Sequence, residues 1–152
     1  MNSADAKPSP NASQPLHARD IVVVGSSLGG IQALPELFSR MPAGIPAAFF
    51  VVHHLGAGYP GELDRLIGRR SRLPVGFAAD GELVGSGRVY VAPPDANMSL
   101  ERGRVVVQPS PRESLHRPSI NALFRSAALA CGRRVVGVVL TPLVVWLGRR
   151  LD

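Results

Sequence analysis

The sequence predicts an α/β fold: a doubly wound, mostly parallel sheet flanked by helices, with a β-hairpin excursion in its middle. Short β-branched runs alternate with segments of helical period, and the longest apolar run has the unbroken character of a strand covered on both faces. A glycine-punctuated stretch before the last helical segment reads as short strands joined by turns. With 152 residues and 45% hydrophobic content the chain can bury one core and not two, so a single domain is expected.

Residues 1–19 are rich in Ser, Ala, Pro and Asn and have no apolar period, so they read as a flexible tail. The domain is expected to start at residue 20, with the β-branched run Ile21 to Val24 as its first strand. Ile31, Leu34, Leu37, Phe38 and Met41 then form one stripe at helical spacing. "AAFFVVHH" is the buried strand, and Leu63, Leu66 and Ile67 mark a second short helix. From Leu73 to Gln108 short strands alternate with glycine turns. "RPSINALFRSAALACG" follows, with Pro118 near a helix start, apolar residues at 120, 123, 124, 127 and 131, and Gly132 as the stop. "RRVVGVVLT" is the last strand, and no internal repeat is visible.

Composition excludes several classes of function. The net charge of +6 comes from 17 basic residues against 11 acidic ones, but Lys7 is the only lysine and the arginines are scattered. With 5% aromatic residues there is little on which bases could stack, so no nucleic-acid partner is expected. The single cysteine, Cys131, rules out an internal disulfide and any multi-cysteine metal site, and its helical spacing marks it as a small buried hydrophobe. No stretch resembles a signal-peptide core or a membrane span, so a cytoplasmic protein without membrane insertion is expected.

In an open parallel sheet the functional crevice lies beyond the carboxyl ends of the strands. Here the first strand runs into Gly25-Ser26-Ser27-Leu28-Gly29-Gly30, the second into His53-His54 and the last into Leu140-Thr141. Gly25, Ser27 and Gly29 satisfy G-x-S-x-G, whose glycines permit a sharp strand-to-helix turn that exposes the central hydroxyl. A serine needs a base to take its proton, and His54 stands at the end of the neighbouring strand to supply it. The N–H of Leu28, at the helix start, is positioned for a developing oxyanion. Two other readings of the corner remain: a plain tight turn with capping serines, and an anion cradle of a nucleotide-binding protein. The second lacks support, since "GSSLGG" matches neither phosphate-binding fingerprint and no acidic residue ends the next strand.

Four stretches, "IVVVGSSLGGIQALPELFSRMP", "VVHHLG", "GRVYVAPPDANMSL" and "HRPSINALFRSAA", taken in this order, resemble the catalytic domain of the chemotaxis protein-glutamate methylesterases, the CheB family. The resemblance covers roughly residues 20–141 and implies hydrolysis of glutamyl methyl esters on the cytoplasmic helices of methylated chemoreceptors, with glutamine deamidation in some members. It implies Ser27 as nucleophile, His54 as base, and His116 and Arg117 as residues lining the substrate site. It implies no metal or organic cofactor. Ser26 stands where the family has Ala, Leu28 where it has Thr, and His53 where it commonly has Gln; His53 reads as a partner or packing residue. A phosphoacceptor receiver domain often precedes this domain in the family, and the 19-residue tail leaves none in cis.

The family pattern continues from the last matched strand as L-T-G-M-G-x-D-G, whose aspartate orients the base. This chain reads "LTPLVVWLGRRLD", with Pro142 at the first glycine, Trp146 at the aspartate and Leu147 at the glycine after it. Residues 142–152 therefore read as an aberrant tail on an incomplete domain. Asp152, Asp95 and Asp80 are the remaining carboxylates weighed for the third role. Loss of the orienting acid implies weakened or lost activity, and a catalytically inactive receptor-binding module is the alternative this raises.

Overall fold

The computed structural model describes residues 19–27, 30–54, 61–109 and 119–140. Strand β1 (Ile21–Ser26) is followed by helix α1 (Gly30–Ser39), strand β2 (Ala48–His53) and the short helix α2 (Leu63–Gly68). Strands β3 (Val75–Phe77) and β4 (Arg88–Val91) come next, then a hairpin of β5 (Ala96–Glu101) and β6 (Arg104–Pro109). Helix α3 (Ile120–Cys131), a single 3-10 turn (Gly132–Arg134) and strand β7 (Val135–Leu140) complete the described elements.

The main sheet has five strands in the order β3-β4-β2-β1-β7, and every pairing in it is parallel. The β5–β6 hairpin forms a separate two-stranded antiparallel sheet, the expected excursion. Its turn needs two left-handed residues, which Arg102 (φ 49°) and Gly103 (φ 75°) provide.

Strand alternation sorts the core into two layers. On one face Val24, Phe49, Val51, Val89 and Val91 meet Leu34 and Phe38 of α1 and Ile67 of α2. On the other, Val23, Phe50, Val52 and Tyr90 meet Leu123 and Ala127 of α3 and Met98 of the hairpin. All six residues of β2 are buried, as the continuous apolar run requires of a strand packed on both sides. Phe50 and Tyr90 stack with ring centroids 5.0 Å apart. The buried Tyr90 hydroxyl accepts from Gly85 N–H at 2.7 Å and donates to Leu83 C=O at 3.1 Å, so its burial leaves no polar atom stranded.

The helix boundaries follow local chemistry. The Ser119 hydroxyl accepts from the N–H of Ala122 at 3.2 Å and caps α3, while Gly132 (φ 53°) ends it in a conformation that suits glycine. Met41 lies beyond α1 but still packs on the core its stripe predicted. Cys131 is half-buried rather than buried, and that burial raises its thiol pKa. Arg133 and Arg134 belong to the 3-10 turn, so the last strand starts two residues later than "RRVVGVVLT" suggests. Arg134 donates twice to the Asp20 carboxylate, both at 2.8 Å, and holds that carboxyl below its ordinary pKa.

Candidate active site

β1 is flanked by β2 on one side and β7 on the other, and the chain reaches these neighbours by crossovers carrying α1 and α3. With α1 and α3 on opposite faces, the carboxyl end of β1 is the topological switch point, the position at which open α/β sheets bind ligands. The sequence places the Ser26-Ser27 corner there.

Two glycines make that corner possible. A Cβ at Gly25 would lie 2.6 Å from Ile120 Cγ2, so glycine here lets the Ile120 side chain at the start of α3 rest on this strand without displacement. A Cβ at Gly30, the first residue of α1, would lie 2.7 Å from Ser26 Cβ and 3.1 Å from His53 Nδ1. The turn between β1 and α1 is held by the Gly30 N–H, which donates to Ser27 C=O at 2.8 Å.

Ser26 and His53 are Cα partners at the ends of β1 and β2. Their side chains share a buried hydrogen bond, Oγ to Nδ1 at 2.6 Å, and are 1% and 5% exposed. Burial, with a smaller contribution from the charge of His54, lowers the His53 pKa, so the neutral ring is favoured. The chain next presents Ser27 and His54, both half-buried, and the His54 N–H donates to Ser26 C=O at 2.9 Å. The backbone thus brings the predicted nucleophile and base to adjacent strand ends. His53 is a partner residue, as its position suggested, although its contact with Ser26 was not foreseen. The available signal was that two of the departures from the family pattern, Ser26 and His53, stand one residue before the predicted pair, on strands expected to be parallel.

Leu28, His116 and Arg117 lie outside the described residues, as do Pro118, Trp146 and Asp152. The segment carrying His116 and Arg117 leads to Ser119, whose N–H donates to Asn97 Oδ1 at 2.9 Å and so anchors the start of α3 beside the hairpin. Of the other carboxylates weighed as a third member, Asp80 accepts the Val107 N–H at 2.9 Å and serves the hairpin. Asp95 is exposed in the turn after β4 with φ 62°. Among the described residues no three His, Cys, Asp or Glu side chains gather as metal ligands, and no helix is long and apolar enough to cross a membrane.

Comparison with known proteins agrees with this architecture. The family model described as CheB methylesterase matches residues 22–143. The chain is 37% identical over 131 residues to protein-glutamate methylesterase/protein-glutamine glutaminase 2 of Methanosarcina mazei, covering 81% of this chain and 36% of the relative. It is 38% identical over 141 residues to protein-glutamate methylesterase/protein-glutamine glutaminase 1 of Anaeromyxobacter dehalogenans, covering 91% and 40%. The chain therefore spans well under half the length of these curated relatives. The crystal structure of the Thermotoga maritima CheB methylesterase catalytic domain superposes with a TM-score of 0.71 at 32% identity, over 81% of this chain and 67% of that one.

Proposed function

Because the chain belongs to the CheB methylesterase family, we propose that it hydrolyses glutamyl methyl esters on protein helices by serine nucleophilic catalysis. The observation that supports this reading is the pairing of Ser26 with His53 and the bond from His54 N–H to Ser26 C=O, at the adjacent strand ends from which Ser27 and His54 follow.

In this mechanism His54 takes the Ser27 Oγ proton as Oγ attacks the ester carbonyl. The Leu28 N–H holds the oxyanion of the tetrahedral intermediate. Collapse breaks the bond to the methoxy oxygen, and His54 returns the proton so that methanol leaves. Water, deprotonated by the same imidazole, then attacks the acyl-enzyme and releases the glutamate carboxylate with Ser27 restored. His116 and Arg117 hold the region around the substrate carboxyl. The partners in this reading are methylated chemoreceptor cytoplasmic helices, the setting is the cytoplasm, and no cofactor takes part.

Methanol release from a methyl-esterified receptor helix tests the assignment. Ser27→Ala and His54→Ala are expected to lower the rate by roughly 10³-fold or more. Equal rates in wild type and Ser27→Ala would overturn it. Trp146 at the position of the family's orienting aspartate favours a second reading, an inactive module that only binds receptor helices. That reading predicts equal background rates together with retained binding of the same helix.

A further inference from the structure

We infer that Ser26 and His53 are positioning residues: a buried side-chain clamp that fixes the strand ends bearing Ser27 and His54 relative to one another. The catalytic consequence rests on the roles proposed above for Ser27 and His54; the clamp itself does not.

Three elements meet at this pair. β1 supplies Ser26, β2 supplies His53, and the first residue of α1, Gly30, lies so close that a methyl group there would collide with Ser26 and press on the His53 ring. The clamp adds a side-chain bond beside the main-chain bond from His54 N–H to Ser26 C=O, so the two strand ends are tied twice within one residue of each proposed reacting group. Ser27 is held from its other side as well, through its carbonyl and the Gly30 N–H. A neutral imidazole carries one donor and one acceptor nitrogen, which suits a hydroxyl partner in a site that excludes water. Burial keeps His53 in that form. Neither side chain is exposed enough to meet a protein substrate, so its influence passes through the backbone that follows it. Displacing a reacting pair by about 1 Å can cost ~10²-fold in rate, which makes a rigid joint directly behind it consequential.

The test uses the full chain and three variants. Ser26→Ala removes the hydroxyl, and His53→Leu removes the ring nitrogens at similar size. His53→Asn keeps a polar amide atom where Nδ1 stands. Site-resolved amide exchange by NMR reads the His54 N–H, with the Phe50 and Val51 amides as internal references. Ser26→Ala and His53→Leu are expected to speed exchange at His54 by about tenfold or more and to leave the reference amides within about twofold, while His53→Asn stays near wild type. In methyl ester hydrolysis the same two variants are expected to lose about tenfold or more in kcat with little change in KM, and His53→Asn to restore most of it.

Unchanged exchange at His54 in Ser26→Ala and His53→Leu would overturn the clamp. A lowered melting temperature with unaltered kcat would overturn the positioning role and leave a purely structural contact. If wild type hydrolyses no faster than Ser27→Ala, the esterase assignment fails, and the exchange measurement still decides whether the clamp exists.

Discussion

Strands β2 and β7 both run parallel to β1, and each pairs with it from Ile21 to Ser26, yet β2 is buried along its whole length and β7 is fully buried nowhere. Ladder hydrogen bonds are therefore a poor guide to burial; what differs is the second layer. Phe49 and Val51 of β2 lie in the core under α1 and α2, while Phe50 and Val52 lie in the core with α3. On β7, Gly137 faces the half-buried Phe124 ring, and Val139 is 62% exposed. The same asymmetry reaches the proposed site, where Ser26 has His53 as its neighbour on one side and the apolar Leu140 on the other. The polar chemistry of the corner is built into the well-packed junction.

Removing large side chains should expose this contrast most strongly. Phe50→Ala is expected to destabilise the fold by about 3–5 kcal/mol, since it empties space between β2 and the stacked Tyr90. Val139→Ala should stay within about 0.5 kcal/mol. Urea denaturation measures both, and similar losses would mean that β7 is covered by something outside the described residues.

A smaller difference is expected between two glycines. Gly30→Ala forces a methyl group onto the Ser26–His53 pair and should cost about 1–3 kcal/mol. At Gly137 the added Cβ meets Phe124 Cε1 at 3.0 Å, the edge of a ring that can turn, so Gly137→Ala should be the milder change in the same denaturation experiment.

The gentlest probe is acid. The folded state lowers the His53 pKa below its ordinary 6.5, so in the unfolded chain this ring binds a proton more readily. Its effect on stability is absent above that ordinary value. As the pH falls below it, the unfolded state gains protons first and stability drops, until folded His53 also becomes charged. Thermal melts of wild type and His53→Asn across this range should diverge gradually toward acid, with the variant less sensitive. Parallel curves would mean that this buried ring is not the group responsible.

The sequence made some of this legible for identifiable reasons. The unbroken run from Ala47 to Val52 announced a doubly covered strand, Gly132 announced the end of α3, and the glycines around Ser27 announced a corner. Each is a local signal with a local cause. The three-residue β3 was hidden in the glycine-rich middle, because joining a parallel sheet beside β4 is a long-range pairing that Val75-Gly76-Phe77 alone does not encode. The Ser26–His53 contact was missed for a related reason, since one sequence shows which residues end each strand but not which of them face each other. Read separately, Ser26 is an exchange for the family's Ala and His53 a partner or packing residue. Register joins them.

The ion pair of Asp20 with Arg134 joins residues 114 positions apart, at the entrances to β1 and β7. Contacts so distant in sequence form slowly, because most of the intervening chain must be organised before they close. As the polypeptide leaves the ribosome, β1 can dock on β2 before β7 emerges, so one flank of β1 awaits its neighbour while the residues between β2 and β7 are made. The two flanks of β1 thus have different birthdays, and in that interval its open edge is exposed to mispairing.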